Sequence, residues 1–309
     1  MADKKKQGLI LLAVLIAAAV IVSAFIHSGE DDQIADPGRL AGMWQPKEIW
    51  QEGKLISEEG NAAALAIDKD GGYRFWDGYG QDQTGKLQKK DGALCFEGKD
   101  GKRYVFHGKD KQLMITAKEG DSEETWVCEW TGYYGDTKLT DEERLTALYT
   151  IQKKGMDMKD RASGWFYTAI EGKLFTAMPE GEAVSQAKDE FIEDAAFTWY
   201  ADEHDLVVTD KELDKYMDDL ISEAEEAENF EVYEKALQKA GMTYEESVKE
   251  NAEVYRVRYI VNKFYEEHFN DWDAFTKDVV NRFKHTKEYR SLKADMNDAV
   301  EKAKEEIQK

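Results

Sequence analysis

The order of apolar and polar positions divides the chain into three stretches. Residues 8–26 read GLILLAVLIAAAVIVSAFI, an apolar run without a charge. At ~1.5 Å per helical residue the run spans roughly 28 Å, close to the hydrocarbon core of a bilayer. From 37 to 134 the apolar period drops to two. Leu65/Ile67, Tyr73/Phe75, Leu94/Phe96, Tyr104/Phe106, Leu113/Ile115 and Trp126/Cys128/Trp130 are each alternate-residue pairs or triplets. Turn signals separate them: Asp70-Gly71-Gly72, Asp91-Gly92, Asp100-Gly101, Lys109-Asp110 and Glu119-Gly120-Asp121. Asp-Gly suits the positive φ of tight hairpins, so the pattern predicts an antiparallel meander. Such a sheet closes or curls to hide its edges.

From 135 to 309 the spacing becomes helical. Three capping boxes, Thr140/Glu143, Thr209/Glu212 and Thr243/Glu246, predict helix starts. Gly241 fits the position just past a helix end. Val184, Ala187, Phe191, Ala195 and Trp199 form one apolar stripe, and Leu213, Tyr216, Met217, Leu220 and Ile221 another. Val248, Ala252, Tyr255 and Tyr259 continue the pattern, and Leu292, Met296, Val300, Ala303 and Ile307 close it. No proline follows Pro179, which allows long uninterrupted helices. Residues 155–180 are open between short strands, helix and a covering segment.

Charge orients the first run. Lys4, Lys5 and Lys6 precede it, and Glu30, Asp31 and Asp32 follow it. The expected organisation is a cytoplasmic tip (1–7), a single-pass transmembrane anchor (8–26) and a linker (27–36). The bulk of the chain is then extracytoplasmic, at the cell membrane. A cleaved signal peptide competes, with Val22-Ser23-Ala24 as a small-residue site, but the run continues through Phe25 and Ile26. The whole chain has 42 Lys+Arg against 64 Asp+Glu, a formal net charge of −22. That balance works against nucleic acid as a partner, because phosphate binding needs a basic face. It does not signal disorder, since 42% hydrophobic and 12% aromatic residues can build a core. Cys95 and Cys128 are the only pair that could form a disulfide, which an oxidising compartment would preserve; two unpaired strand thiols are equally compatible.

Two resemblances follow. Leu40-Ala41-Gly42-Met43-Trp44 contains a Gly-x-Trp, and Thr125-Trp126-Val127-Cys128-Glu129-Trp130 has the look of a closing strand. Together these resemble lipocalin-like barrels, in which the Trp plugs one end; the resemblance makes Gly42 and Trp44 the candidate plug. A barrel this small is filled by its own side chains or holds an apolar small ligand. Farther on, Val207-Val208-Thr209-Asp210-Lys211-Glu212 and Gly241-Met242-Thr243-Tyr244-Glu245-Glu246 open two helices, with an acidic helix between. This order, clearest over 181–265, resembles the N-terminal helical domain of SurA/PrsA-type extracytoplasmic chaperones. In the foldase members a parvulin isomerase domain comes next. Here only Asn270-Asp271-Trp272-Asp273 separates the long helix from a final run from Phe275 to about Ile307, which leaves no room for an isomerase. The expected fold class is therefore α+β multidomain: transmembrane helix, lipocalin-like antiparallel barrel (37–134) and all-α SurA-like domain (135–309).

The search for chemistry is negative. The chain has no His-Glu-x-x-His, no Gly-x-Ser-x-Gly, no phosphate loop and no dinucleotide fingerprint. Asp68-Lys69-Asp70-Gly71-Gly72 starts like a calcium loop but lacks the later acidic ligands, and reads as a hairpin turn. Asp202-Glu203-His204-Asp205 falls at a helix end, where such residues are solvated, and Glu223 to Glu228 reads as a solvated acidic face. No catalytic residue, metal or cofactor is expected.

The aromatics carry more. Trp165, Phe166, Tyr167, Phe175, Phe197, Trp199, Tyr200, Tyr255, Tyr259, Phe264 and Phe269 are many for a small helical domain. They form its core, or some line a groove for unfolded chains, with Met178, Met217 and Met242 as adaptable contacts. The resemblance implies a membrane-anchored, chaperone-like module that binds exported or unfolded protein clients, or a partner protein, without isomerase activity or ATP. The alternative is a lipocalin-like binder or sensor of an apolar ligand whose helical domain docks a partner. An enzyme is the weakest of the three, since no motif supports it.

Overall fold

The computed structural model describes residues 36–51, 54–57, 63–76, 82–109, 112–120, 122–227 and 230–309. They form two compact units that divide between Leu139 and Thr140. In the first, a single 3₁₀ turn (Pro37–Leu40) leads into β1 (Gly42–Gln51), β2 (Lys54–Ser57), β3 (Ala64–Ile67), β4 (Gly72–Trp76) and β5 (Asp82–Lys86). Then come β6 (Gln88–Lys90), β7 (Ala93–Glu97), β8 (Arg103–Lys109), β9 (Gln112–Glu119) and β10 (Ser122–Gly132). All pair antiparallel in one sheet, in the order β5-β4-β3-β1-β10-β9-β8-β7-β6, with β2 on β1. Only Leu87 separates the two ends of that order. The run from 82 to 90 pairs first with β4 and then with β7, so the sheet curls into a nearly closed barrel.

The seam is finished by side chains. Gln83 Nε2 donates to the Glu97 carbonyl (2.8 Å), and its Oε1 accepts the Lys99 N–H (2.7 Å). The amide thus supplies the donor and acceptor that a neighbouring peptide would. Lys99 Nζ adds a bond to the Asp82 carbonyl (2.9 Å). Residues 82–90 carry one apolar side chain, Leu87, which is why alternation does not mark them. Gly85 stands opposite Tyr73, whose ring lies where a Cβ would be, 2.7 Å away.

The period-two residues point inward as expected. Leu65 to Cys128 of the alternating pairs belong to one core cluster, with Trp130 packed against it. Phe96 stacks on Tyr104 (4.7 Å) and Tyr73 (4.4 Å), and Phe75 fills in against Phe96, Tyr104 and Trp126. Asp68-Lys69-Asp70-Gly71-Gly72 is a hairpin turn: Asp68 Oδ1 accepts the N–H groups of Asp70 (3.0 Å) and Gly72 (2.7 Å). The chain after β10 stays with the barrel. Arg74, its side chain 6% exposed, forks onto Asp82 and donates to the Leu139 carbonyl (3.2 Å), while Thr137 donates to Asp68 (2.8 Å).

The second unit contains α1 (Asp141–Met156), α2 (Arg161–Phe175), α3 (Glu180–Glu203), α4 (Asp210–Glu225) and α5 (Phe230–Lys239). They are followed by α6 (Tyr244–Lys249), α7 (Ala252–Glu267), α8 (Trp272–Phe283) and α9 (Lys287–Ile307). Helix α2 packs on α1, α9 and α3; α3 packs on α7 and α8; α4 packs on α6 and α7. All three capping boxes form, with the Thr hydroxyl accepting the N3 amide and the Glu reaching back to the cap amide. Gly241, at φ 82°, ends α5: its N–H reaches the Gln238 carbonyl (3.1 Å) and the Met242 N–H reaches Leu237 (3.1 Å). Met242 is buried against that last turn.

Four expectations change. Residues 155–180, left open by the sequence, hold helix α2: Asp160 accepts the Ser163 N–H (3.3 Å), and Ser163, Phe166, Tyr167 and Ile170 are buried. The helix expected from Thr243 is two, because the Asn251 side chain donates to the Ser247 carbonyl (2.7 Å) and breaks the register between α6 and α7. The final run is also two, since Thr286 accepts the Tyr289 N–H (3.1 Å) and starts α9 afresh. Lastly, the expected fold class is corrected. Among the described residues no helix is long and apolar enough to cross a membrane. The longest, α3, carries nine charged side chains in its 24 residues. The run 8–26, the tip 1–7 and the linker up to residue 35 lie outside the described residues.

Candidate functional site

The aromatic residues of the helical unit fall into groups set by which helix face carries them. On α2, Trp165 and Phe166 meet Phe191 of α3 at 5.2 and 4.8 Å. Tyr167 is buried under Lys154 (4.9 Å), and Arg144 lies 5.7 Å from the half-buried Phe175. Phe197 of α3 stacks on Trp272 (5.4 Å, 6°) and contacts Phe264 and Phe275. Tyr200 meets Phe264 and Phe275 edge-on and the His204 ring at 4.1 Å. Trp199 turns to Phe283, and Arg282 covers both Trp199 (5.8 Å) and Tyr200 (5.2 Å).

A third group lies between α4, α6 and α7. Tyr216 contacts Tyr259 (5.2 Å) and accepts a bond from Asn262, and Tyr244 and Tyr255 pack on Leu213, Met217 and Val248. Arg258 lies 5.2 Å from the Tyr255 ring. On α3 nearby, burial pushes the half-buried Asp194 carboxyl up to about 7; Glu193 and Glu190 add to the shift and Arg258 opposes it. Burial also raises Glu190, against the opposing pull of the buried Lys173 ammonium bonded to it at 2.8 Å. The Tyr244 phenol is pushed up to about 12, first by burial and then by Tyr255.

Of the eleven aromatic residues singled out in the sequence, Phe166, Tyr167, Phe197 and Phe264 are buried and Phe269 is exposed. Trp165, Phe175, Trp199, Tyr200, Tyr255 and Tyr259 are half-buried. The open rings come next in the chain. Tyr265 is 41% exposed and Phe269 is 64% exposed, with ring centres 5.5 Å apart. They form the elbow between α7 and α8. Tyr265 also meets Trp272 (5.2 Å), and His268 lies flat on Phe275 (3.7 Å), so the exposed pair rests on the aromatic stack below. Sequence reasoning missed Tyr265. Its signal was available, since it adjoins the buried Phe264 and so falls off that inward face.

The chain matches no protein-family model, no curated protein and no solved structure. The lipocalin-like and SurA/PrsA-type resemblances therefore rest on their motifs and on the order of barrel and helices.

The barrel candidates are placed as follows. Trp44 is buried, and its Nε1 donates to the Leu40 carbonyl (2.8 Å). Gly42 makes room for Trp130, whose Nε1 lies 2.0 Å from where a Cβ would stand. Cys95 and Cys128 are both buried and free, on β7 and β10 with β8 and β9 between them. Burial pushes the Cys128 thiol up to about 12, which makes it a poor nucleophile. Among the described residues no group of three His, Cys, Asp or Glu is placed to hold a metal ion. At Asp202-Glu203-His204-Asp205, Asp205 takes φ 56° and ends α3 while His204 packs on Tyr200.

Proposed function

We propose that the protein is a chaperone-like polypeptide-binding module that works without prolyl isomerisation, and that its helical unit contacts the clients. The observation that carries this reading is the exposed Tyr265–Phe269 pair, seated on an aromatic stack. Exposed adjacent aromatics lower the free energy of a bound apolar segment, and a pre-ordered platform spares the entropy of forming one. The capping boxes at Thr209 and Thr243 support a SurA/PrsA-type assignment of the helices, in the order that resemblance requires.

The test is aggregation of a chemically unfolded client with the purified protein at near-stoichiometric ratio. The protein is expected to slow aggregation, and Tyr265→Ser with Phe269→Ser to remove most of that effect. No slowing at several-fold excess overturns the proposal.

A further inference from the structure

The elbow has a charge pattern that its aromatic content alone does not explain. From Tyr265 to Phe275 the chain holds Glu266, Glu267, Asp271 and Asp273 and no Lys or Arg. All four carboxylates are exposed. Lys263 reaches Glu266 only at 4.0 Å, and His268 lies 3.4 Å from Asp271. Elsewhere in this unit several partly exposed rings are covered by the chain's own cations: Tyr259 by Lys263, Trp199 and Tyr200 by Arg282, Tyr255 by Arg258. Among the described residues no Lys or Arg lies over Tyr265 or Phe269, the two most exposed rings.

We infer that this elbow selects polypeptide segments bearing lysine or arginine, with the cation seated over Phe269 or Tyr265 and held by the surrounding carboxylates. The inference rests on the polypeptide-binding reading and adds its specificity. A ring face attracts a cation through its quadrupole, and a carboxylate beside it strengthens the hold. Charge rules against the other occupants. A second copy would bring the same acidic rim against itself, in a chain of net charge −22, and an anionic lipid surface would be repelled in the same way.

Two fluorescein-labelled peptides of equal length and equal apolar content, one flanked by lysines and one by glutamates, are titrated with the whole protein and read by anisotropy. The lysine peptide is expected to bind about tenfold tighter at low salt, with the preference shrinking as salt rises. Glu266→Gln, Glu267→Gln, Asp271→Asn and Asp273→Asn together are expected to bring the two peptides to within about twofold, and Phe269→Ser to weaken both. These side chains are exposed, and an unchanged thermal melt confirms that the variants are folded. Equal binding of the two peptides overturns the inference but leaves the polypeptide-binding reading standing. Binding of neither overturns both. Phe269-dependent dimerisation in sedimentation, or Phe269-dependent binding to phosphatidylserine vesicles, assigns the elbow to another occupant and also overturns it.

Discussion

Gly164 of α2 lies so close to Gly155 of α1 that a Cβ on Gly164 would stand 2.2 Å from the Gly155 carbonyl oxygen. The reverse substitution is no easier, since a Cβ on Gly155 would meet Thr168 Oγ1 at 2.1 Å and the Gly164 carbonyl at 2.6 Å. The first helical hairpin thus crosses backbone to backbone, and an added methyl on either glycine meets a backbone carbonyl that cannot yield. Gly164→Ala is expected to destabilise the helical unit by roughly 2–3 kcal/mol despite its better helix propensity. Urea unfolding followed by circular dichroism reads the loss; an unchanged midpoint would mean that the two helices do not cross there.

Two helix ends use a residue other than glycine in the left-handed conformation. Ala177 (φ 68°) ends α2 and Asp205 (φ 56°) ends α3, each with the same pair of return bonds that Gly241 makes for α5. A β-carbon there costs about 1–2 kcal/mol, partly offset by the extra freedom that glycine brings to the unfolded chain. Ala177→Gly is expected to stabilise by about 0.5–1 kcal/mol, Asp205→Gly by less because Asp tolerates this region, and Gly241→Ala to destabilise by about 1 kcal/mol. Thermal melts of the three variants should rank in that order.

Gln83 closes the barrel seam with both ends of its amide, and its nitrogen also donates to Tyr73 Oη (2.7 Å). Gln83→Glu keeps the shape but loses the donor and sets a carboxylate against the Glu97 carbonyl. The expected cost at neutral pH is about 1–3 kcal/mol. Below pH ~4 the variant's carboxyl gains a proton and one donor returns, so its gap to the parent should narrow. A gap that does not depend on pH would show that the seam is held by other bonds.

Asp194 should give the helical unit a pH dependence of a definite sign. Its folded carboxyl is raised from 3.8 to about 7, so the folded state holds a proton that the unfolded state has released between those values. The associated stability is present below pH ~4 and lost as pH rises toward 7. Asp194→Asn, neutral throughout, is expected to match the parent near pH 4 and to exceed it in melting temperature at pH 8. Equal melting differences at both pH values would show that the fold does not raise the Asp194 carboxyl.

Much of the fold was legible in local pattern. The inward set of the barrel followed from alternation because side chains on a strand take opposite faces, so Leu94 and Phe96 had to share one. The helix starts at Thr140, Thr209 and Thr243 followed from capping chemistry that involves only four consecutive residues. The strand at 82–90 was not legible, because its place depends on what lies across from it: Gly85 is there for the Tyr73 ring, and Gln83 for a backbone on another strand. The breaks at Asn251 and Thr286 were hidden for the opposite reason. Each rests on one side-chain bond that carries no distinctive spacing. In the candidate site, sequence collected the aromatics but could not sort them by depth.

By itself, then, the sequence determined a strand-rich stretch followed by a helical one, the face each strand turns inward, and a strongly acidic charge balance. These follow from periodicity and charge, which are properties of neighbouring residues. Tertiary structure alone decided that the sheet closes through Gln83, that α1 and α2 touch at glycine, and that Phe264 is sealed while Tyr265 and Phe269 stay open. Those outcomes depend on which distant backbone fills the space beside a residue, and no local pattern contains that information.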